Sequence, residues 1–499
     1  MQDIYHSILQ QYWGYADFRG IQREIIESIC NGKDTLGLMP TGGGKSITFQ
    51  VPAMVLNGTC VVFTPLIALM KDQVDSLLKR GIRAAAIHSG LPHYEITKIL
   101  DTAVLGGYKI LYISPERLNS ELFITKIKRM KVSFITVDEA HCISYWGYDF
   151  RPSYLKIKEI RTLKPDAQIL ALTASATPEA VKDIQKQLAF RDENVFKMSF
   201  ERKNLCYMIL NTSLREKAMV HLLENIPGTA IIYTRNRENC QKICDDLCKQ
   251  GYTATYYHAG LADSVKNERQ NGWMANEFRI MVATNAFGMG IDKPDVRLVI
   301  HMDLPDSLEA YYQEAGRAGR DGAEADCILL YNSADIQTAR FLINNGSENE
   351  ELNPAQLEII RKQDLARLDA MVGYCKTKTC LRGYILEYFG QKHPELCGNC
   401  GTCKGIYEDV DITREAQMIL SCVKRIHDKL GYNVGVNMIG NVLRGSRNKR
   451  LLELGLDEIS TYGLLKGHTR SDIHGMIDHL EGEGYLEQEP DPEFPTLCL

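Results

Sequence analysis

No apolar stretch among the 499 residues approaches the ~18–20 positions that a membrane span needs, because Lys, Asp, Arg or Gly interrupts every run. The first residues offer no apolar core either, and Asp3 stands where a secretory signal would carry positive charge, so the chain is expected in the cytoplasm. Positive charge is not in excess: 58 Lys and Arg face 63 Asp and Glu, a net of −5. Any polyanionic partner must therefore be met by locally placed cations rather than by a global field. Low-complexity tracts and short repeats are absent. The 15 cysteines are odd in number and unevenly spaced, which speaks against a disulfide framework. In a reducing compartment they are read as core residues, metal ligands or catalysts. What is present is an ordinary globular composition, 44% hydrophobic and 24% charged, long enough for about three or four domains.

Short apolar runs alternate with helical patterns along roughly two-thirds of the chain. They lie at Thr35–Met39, Cys60–Thr64, Ala84–His88, Ile110–Ser114, Phe134–Val137 and Ile169–Thr173. A second series lies at Ala230–Thr234, Ala254–His258, Ile280–Thr284, Leu298–Met302 and Cys327–Tyr331. Continuous apolar strands between helices predict two α/β lobes, each a parallel sheet covered on both faces, with a boundary near Phe200–Ser213. After Gly346 the pattern turns helical, at Ala355–Gly373, Thr413–Lys429, Val436–Leu443 and Ser471–Gly482, before a strand-like Tyr485–Glu489. Short helices ending in a hairpin fit a helix-turn-helix or winged-helix module.

Three motifs carry chemistry. Thr41-Gly42-Gly43-Gly44-Lys45-Ser46 follows a strand through Met39-Pro40 and opens a helix. Glycines let backbone N–H groups face phosphate oxygens; Lys45 is expected at the β/γ-phosphates and Ser46 on Mg²⁺. The general pattern would have Gly where this chain has Met39, and a plain glycine-rich turn is the bland alternative. Phe134–Val137 ends in Asp138-Glu139-Ala140-His141. A carboxylate at that strand end suits a Mg²⁺ ligand, Asp138, with Glu139 as the base that activates water. In the second lobe, Gln313-Glu314-Ala315-Gly316-Arg317-Ala318-Gly319-Arg320 places two arginines three residues apart, expected on one helix face. They read either as a solvated basic helix or as arginine fingers reaching the γ-phosphate from the other lobe.

Sixteen residues separate Cys380 from Cys397-Gly-Asn-Cys400-Gly-Thr-Cys403. Four thiolates at this spacing can close a tetrahedral Zn²⁺ site; a [4Fe–4S] cluster is the rival, although its usual x₃-C-P continuation is missing. Cys375 could replace Cys380 as the fourth ligand. Cys240, Cys244 and Cys248, spaced i, i+4, i+8, read as a buried helix stripe. Arg444, Arg447, Lys449 and Arg450 are expected in a loop near a duplex, or simply as a solvated basic loop. The acidic run from Glu481 to Glu493 should avoid a polyanion.

Together these blocks resemble superfamily 2 helicases, and from about residue 10 to residue 490 the chain resembles the RecQ family of DNA helicases. The resemblance implies adenine recognition by Tyr15, Arg19 and Gln22, a phosphate loop over Met39–Ser46, and further nucleotide-site residues at Gly288 and Asp292. It implies that the aromatic-rich stretch His141-Cys-Ile-Ser-Tyr145-Trp146-Gly-Tyr148-Asp-Phe150-Arg151-Pro binds single-stranded DNA and couples it to hydrolysis, with His141, Trp146, Phe150 and Arg151 in that role. Trp146 packing under its own loop is the structural alternative. Arg444 and Arg450 become duplex contacts, and Cys380, Cys397, Cys400 and Cys403 become zinc ligands. The implied layout is an ATP-binding RecA-like lobe (1–205), a second lobe (206–340), a zinc-binding segment (341–406) and a winged-helix DNA-binding domain (407–499). The last ends in a wing strand with no room for the family's usual helicase-and-RNase-D domain. The implied activity is 3′→5′ DNA unwinding driven by ATP, with Mg²⁺ and Zn²⁺, near the bacterial nucleoid in repair and recombination. The competing reading is an ATP-gated nucleic-acid clamp or strand-annealing factor that does not unwind.

Overall fold

Each apolar run becomes a strand because it is too short for a helix and is flanked by turn-forming residues. In a computed structural model, which describes residues 3–65, 67–212, 214–288, 293–346, 352–405, 411–489 and 496–499, the first lobe holds seven strands. These are β1 (Thr35–Leu38), β2 (Thr59–Phe63), β3 (Ala84–Ile87), β4 (Ile110–Ile113), β5 (Val132–Val137), β6 (Gln168–Thr173) and β7 (Val195–Lys197). They pair in parallel in the order 3-4-2-5-6-1-7. The second lobe holds β8 (Leu205–Asn211), β9 (Thr229–Tyr233), β10 (Ala254–Tyr257), β11 (Ile280–Ala283), β12 (Val296–His301) and β13 (Ala325–Tyr331). Their order is 10-11-9-12-13-8, again parallel. All eleven expected runs are strands. β7 escapes the sequence reading because it is a three-residue sheet edge of partly exposed residues, whereas β8, at the edge of the other sheet, is an unbroken apolar run over Leu205–Leu210 that lies inside the expected boundary segment. The segment read as a boundary is therefore largely strand β8.

The chain forms two compact units, Met1–Gly405 and Ile406–Leu499. The first contains both lobes and a helical segment: Pro354–Lys376, opened by a reciprocal Asn353/Gln356 cap, then Leu381–Tyr388 and the short helix Gly401–Lys404. The second packs helices Thr413–Leu430, Val436–Leu443 and Arg470–Gly482 around Ile419, Ile426, Ile439, Leu443, Ile473 and Ile477. It closes with an antiparallel hairpin of β14 (Glu487–Glu489) and β15 (Thr496–Cys498). Helices followed by a two-stranded wing are the expected winged-helix order. No helix among the described residues is long and apolar enough to cross a membrane.

Candidate functional site

Strand order places the chemistry. β1, β5 and β6 lie in the middle of the first sheet, and the loops leaving their C-terminal ends converge at one edge, where parallel sheets bind ligands. After β1 the phosphate loop curls into the helix Ile47–Val55, with Ser46 at its N-cap position. Gly44 takes φ +73°, and a β-carbon there would collide with the Gln22 amide. Lys45 lies in this loop with its Nζ 2.9 Å from Glu139 Oε1. Glu139 follows β5 with the left-handed φ of 47°, a strained conformation for a non-glycine residue and one that recurs at functional sites. Its backbone N–H donates to Asp138 Oδ1 at 3.0 Å.

The electrostatics separate the two carboxylates. Burial pushes Asp138 up to about 6, with Lys45 opposing and Glu139 adding to the shift. Burial also acts against Glu139, but Lys45, His141 and Arg317 hold it below the usual carboxylate range. Burial lowers His141, with Glu139 and Asp149 opposing; its Nδ1 is 3.0 Å from Thr173 Oγ1 and 3.4 Å from Glu139 Oε2.

Arg317 and Arg320 come from the second lobe, but the expectation of one helix face fails. The helix Leu308–Ala315 stops before them, and both lie in the turns that follow, where Gly319 at φ +54° permits the chain reversal. Arg320 still reaches the phosphate loop: its Cγ is 3.6 Å from where a β-carbon on Gly42 would sit. Arg317 passes Gly288 at 3.6 Å by the same measure, and its buried Nε has no hydrogen-bond partner among the described residues. Thr41 Oγ1 donates to the Gly316 carbonyl at 3.4 Å, and Gln313 Nε2 to Ser175 Oγ at 3.1 Å, linking the lobes at the site. A glycine-lined loop, a lysine, two acids and an unsatisfied buried arginine donor suit a nucleotide triphosphate.

Upstream, the Arg19 guanidinium lies 5.8 Å from the ring centre of Tyr15, which is 47% exposed. Gln22 is engaged at both ends of its amide. It accepts from the Arg19 N–H at 2.9 Å and donates to the carbonyls of Gly43 and Gly44 at 3.2 and 3.0 Å. Met39 is fully buried, which explains how the loop does without the usual first glycine: the position supports the loop from the core. Asp292 lies outside the described residues.

The aromatic-rich stretch is anchored at both ends. His141 stacks on Tyr148 at 4.5 Å, and Tyr145 on Phe150 at 4.5 Å. Trp146, by contrast, is 44% exposed rather than packed under the loop. Arg151 is engaged by Asp149 at 2.9 Å. Sequence reasoning missed the clamp on this loop: Arg367, from the helix Pro354–Lys376, donates to the carbonyls of Tyr145 and Gly147 at 3.1 and 2.9 Å. Gln356 donates to Tyr145 Oη at 2.9 Å. Contacts across more than 200 residues leave no spacing signal.

Cys380, Cys397, Cys400 and Cys403 bring four Sγ atoms within 4.8 Å of one another. The N–H groups of Gly383, Asn399 and Cys403 donate to Cys380, Cys397 and Cys400 at 3.3–3.4 Å, the polarity that thiolates need. Four sulfurs with no histidine or carboxylate in the set fit a structural zinc. Cys375 stands outside this group. The helix stripe is only partly as expected: Cys240 and Cys244 are buried, but Cys248, next to the last residue of the helix Arg237–Lys249, is exposed. In the second unit, Arg444, Arg447, Lys449 and Arg450 are all exposed, but only the first two lie in the expected loop region. Lys449 and Arg450 open a short helix, Lys449–Glu453, capped by Asn448.

Family models match successive parts of the chain: DEAD/DEAH box helicase over residues 19–184, helicase conserved C-terminal domain over 214–322, RecQ zinc-binding over 333–404 and RQC domain over 406–499. The ATP-dependent DNA helicase RecQ of Bacillus subtilis is 44% identical over 99% of this chain and 82% of its own length. Its namesake from Pasteurella multocida is 36% identical over 100% and 76%. Among solved structures, Saccharomyces cerevisiae Dbp5 bound to RNA and ADP BeF3 aligns over 71% of this chain and 96% of its own at a TM-score of 0.54 and 14% identity. The DUF1998 helicase MrfA bound to DNA aligns over 79% and 59% at 0.56 and 16%; both likenesses concern the fold. Fold and site thus define a helicase enzyme with two RecA-like lobes, a zinc-binding domain and an RQC winged-helix domain. The chain belongs to the RecQ family.

Proposed function

We propose that this chain is an ATP-dependent DNA helicase that moves 3′→5′ along one strand and separates the duplex ahead of it, serving repair and recombination. The observation that carries the reading is the ring of Lys45, Asp138, Glu139, Arg317 and Arg320 drawn from both lobes around one phosphate loop. With ATP bound, Lys45 exchanges Glu139 for the β/γ-phosphates. Glu139, freed of the cation that depresses its basicity, orients and deprotonates the attacking water. Asp138 and Ser46 would hold Mg²⁺, which supplies charge neutralisation at the phosphates. Arg317 and Arg320 stabilise charge on the transferred phosphoryl group, so hydrolysis depends on lobe closure. Tyr15 and Arg19 provide a stacking face for adenine, beside Gln22.

Single-stranded DNA binds at the aromatic loop in this reading. The exposed Trp146 stacks on bases, where each stack is worth ~1–3 kcal/mol, and Tyr148 passes the loop's position to His141 and thence to Glu139. The winged-helix domain, with its exposed Arg444 and Arg450, meets the duplex through phosphates. The test is steady-state ATP hydrolysis with and without single-stranded DNA or RNA. DNA should stimulate it more than RNA, and Lys45→Ala should abolish it. Equal stimulation by RNA, or turnover surviving Lys45→Ala, overturns the assignment.

A further inference from the structure

The arginine-bearing turn takes support beyond its own backbone, in which the Gly322 N–H donates to the Gly319 carbonyl at 3.1 Å. After a helix ends, carbonyls lose their i+4 donors and must be satisfied otherwise. Here the carbonyls of Gly316, Ala318 and Gly319 are met by side chains from the segment between the lobes. Arg202 donates from Nη1 to Gly316 at 3.1 Å, and from Nη2 to Ala318 and Gly319 at 2.9 and 3.1 Å. Asn204 Nδ2 donates to Gly319 and Ala323, both at 2.8 Å. The segment is itself gripped from the far side. Buried Arg382, on the helix Leu381–Tyr388 that begins at Cys380, donates to the carbonyls of Lys203 and Leu205 at 3.1 and 2.9 Å. The strap runs from the cysteine cluster to the arginines over the phosphate loop, and every link is a side-chain donor on a backbone carbonyl.

We propose that Arg202 and Asn204 are positioning residues for Arg317 and Arg320, holding the turn so that both guanidinium groups meet the phosphates when the lobes close. This rests on the reading of Arg317 and Arg320 as phosphate-contacting groups. A planar guanidinium spans three carbonyls; a lysine ammonium is a point donor and cannot. Displacing a reacting group by about 1 Å costs on the order of 100-fold in rate. The interaction is made by the turn rather than by ground-state ATP, so the loss falls on kcat.

The experiment compares DNA-stimulated ATP hydrolysis by the full chain and by Arg202→Lys, Asn204→Ala, Arg317→Ala and the Arg202→Lys/Arg317→Ala double variant, with melting temperatures recorded alongside. Arg202→Lys should lower kcat about 10–100-fold, with KM for ATP within about two-fold and melting unchanged; Asn204→Ala should shift kcat the same way by less. The double variant should lose less than the product of the two single losses, because Arg202 acts only through the turn and only Arg320 is left to displace. Losses that multiply in the double variant, or a fall that tracks melting or KM, overturn the proposal. If Arg202→Lys does not fold, Asn204→Ala decides by the same criteria. Wild-type turnover in Arg317→Ala means that the phosphate-contact reading has failed; slow Arg317→Ala beside fast Arg202→Lys and Asn204→Ala means that the positioning claim alone has failed.

Discussion

At the scale of single residues, Asp34 shows how much of this fold rests on a group with no motif around it. The residue is 5% exposed at the entry to β1 and its carboxylate engages Arg161, while the N–H groups of Ile169 and Arg191 donate to its two oxygens at 2.9 and 3.1 Å. Burial opposes ionisation, yet Arg161 and the two amides hold the group below the ordinary carboxylate value. The unfolded value is about 3.9. A depressed native value means that the stabilisation is complete above about pH 4 and is lost as the pH falls through the native value. Asp34→Asn should therefore cost about 3 kcal/mol near pH 7. In urea titrations the gap from wild type should narrow as the pH drops below about 4; a penalty independent of pH contradicts this. Nothing near Asp34 in the sequence announces its role, because its partners lie more than 100 residues away. Lys45, Asp138 and Glu139 were legible for the opposite reason: each sits in a short contiguous motif whose strand-then-turn context is local. Arg202, Asn204 and Arg367 resemble Asp34. They act on distant carbonyls, and a carbonyl carries no residue identity.

Among elements, the loop from His141 to Pro152 ties the nucleotide side of the first lobe to the helical segment. Two aromatic stacks and the Arg367 clamp fix its backbone while leaving Trp146 outward. An outward indole on a braced loop can respond to a strand without contributing much to the core. Trp146→Ala should accordingly remove most DNA stimulation of hydrolysis, at least about ten-fold for the loss of one base stack. The KM for ATP should stay unchanged; intact stimulation would refute the coupling role. The density of aromatics around glycine and charge made this loop visible in the sequence, but not its clamps. The arginine turn departs from the expected helix face because i, i+3 spacing suits a turn as well as a helix. What decides is Gly319 at φ +54°, which the spacing alone does not reveal. Strands buried on both faces are legible as apolar runs, and so is Leu205–Leu210 of β8; the edge strand β7 is not, since its three residues are partly exposed.

Across the whole molecule, the net charge of −5 leaves a polyanion to be met by local cations, and those at hand are Lys45, Arg317 and Arg320 at the phosphate loop and the exposed Arg444–Arg450 cluster of the second unit. The four-sulfur cluster belongs to the same unit as both lobes, and its helix reaches the strap beneath the arginine turn. Elemental analysis should find one zinc per chain, and a chelator that removes it should lower the melting temperature. The visible absorption of an iron–sulfur cluster would refute the assignment. Under the proposed function, lobe closure over ATP drives strand separation in one direction. The measurement that tests it most directly is unwinding of a duplex carrying a single 3′ tail, beside the same duplex with a 5′ tail, with ATP and Mg²⁺ and with Glu139→Gln as control. The account predicts separation of the 3′-tailed duplex, little of the 5′-tailed one and none by Glu139→Gln. DNA-stimulated hydrolysis without separation of either duplex would contradict it and leave an ATP-gated clamp.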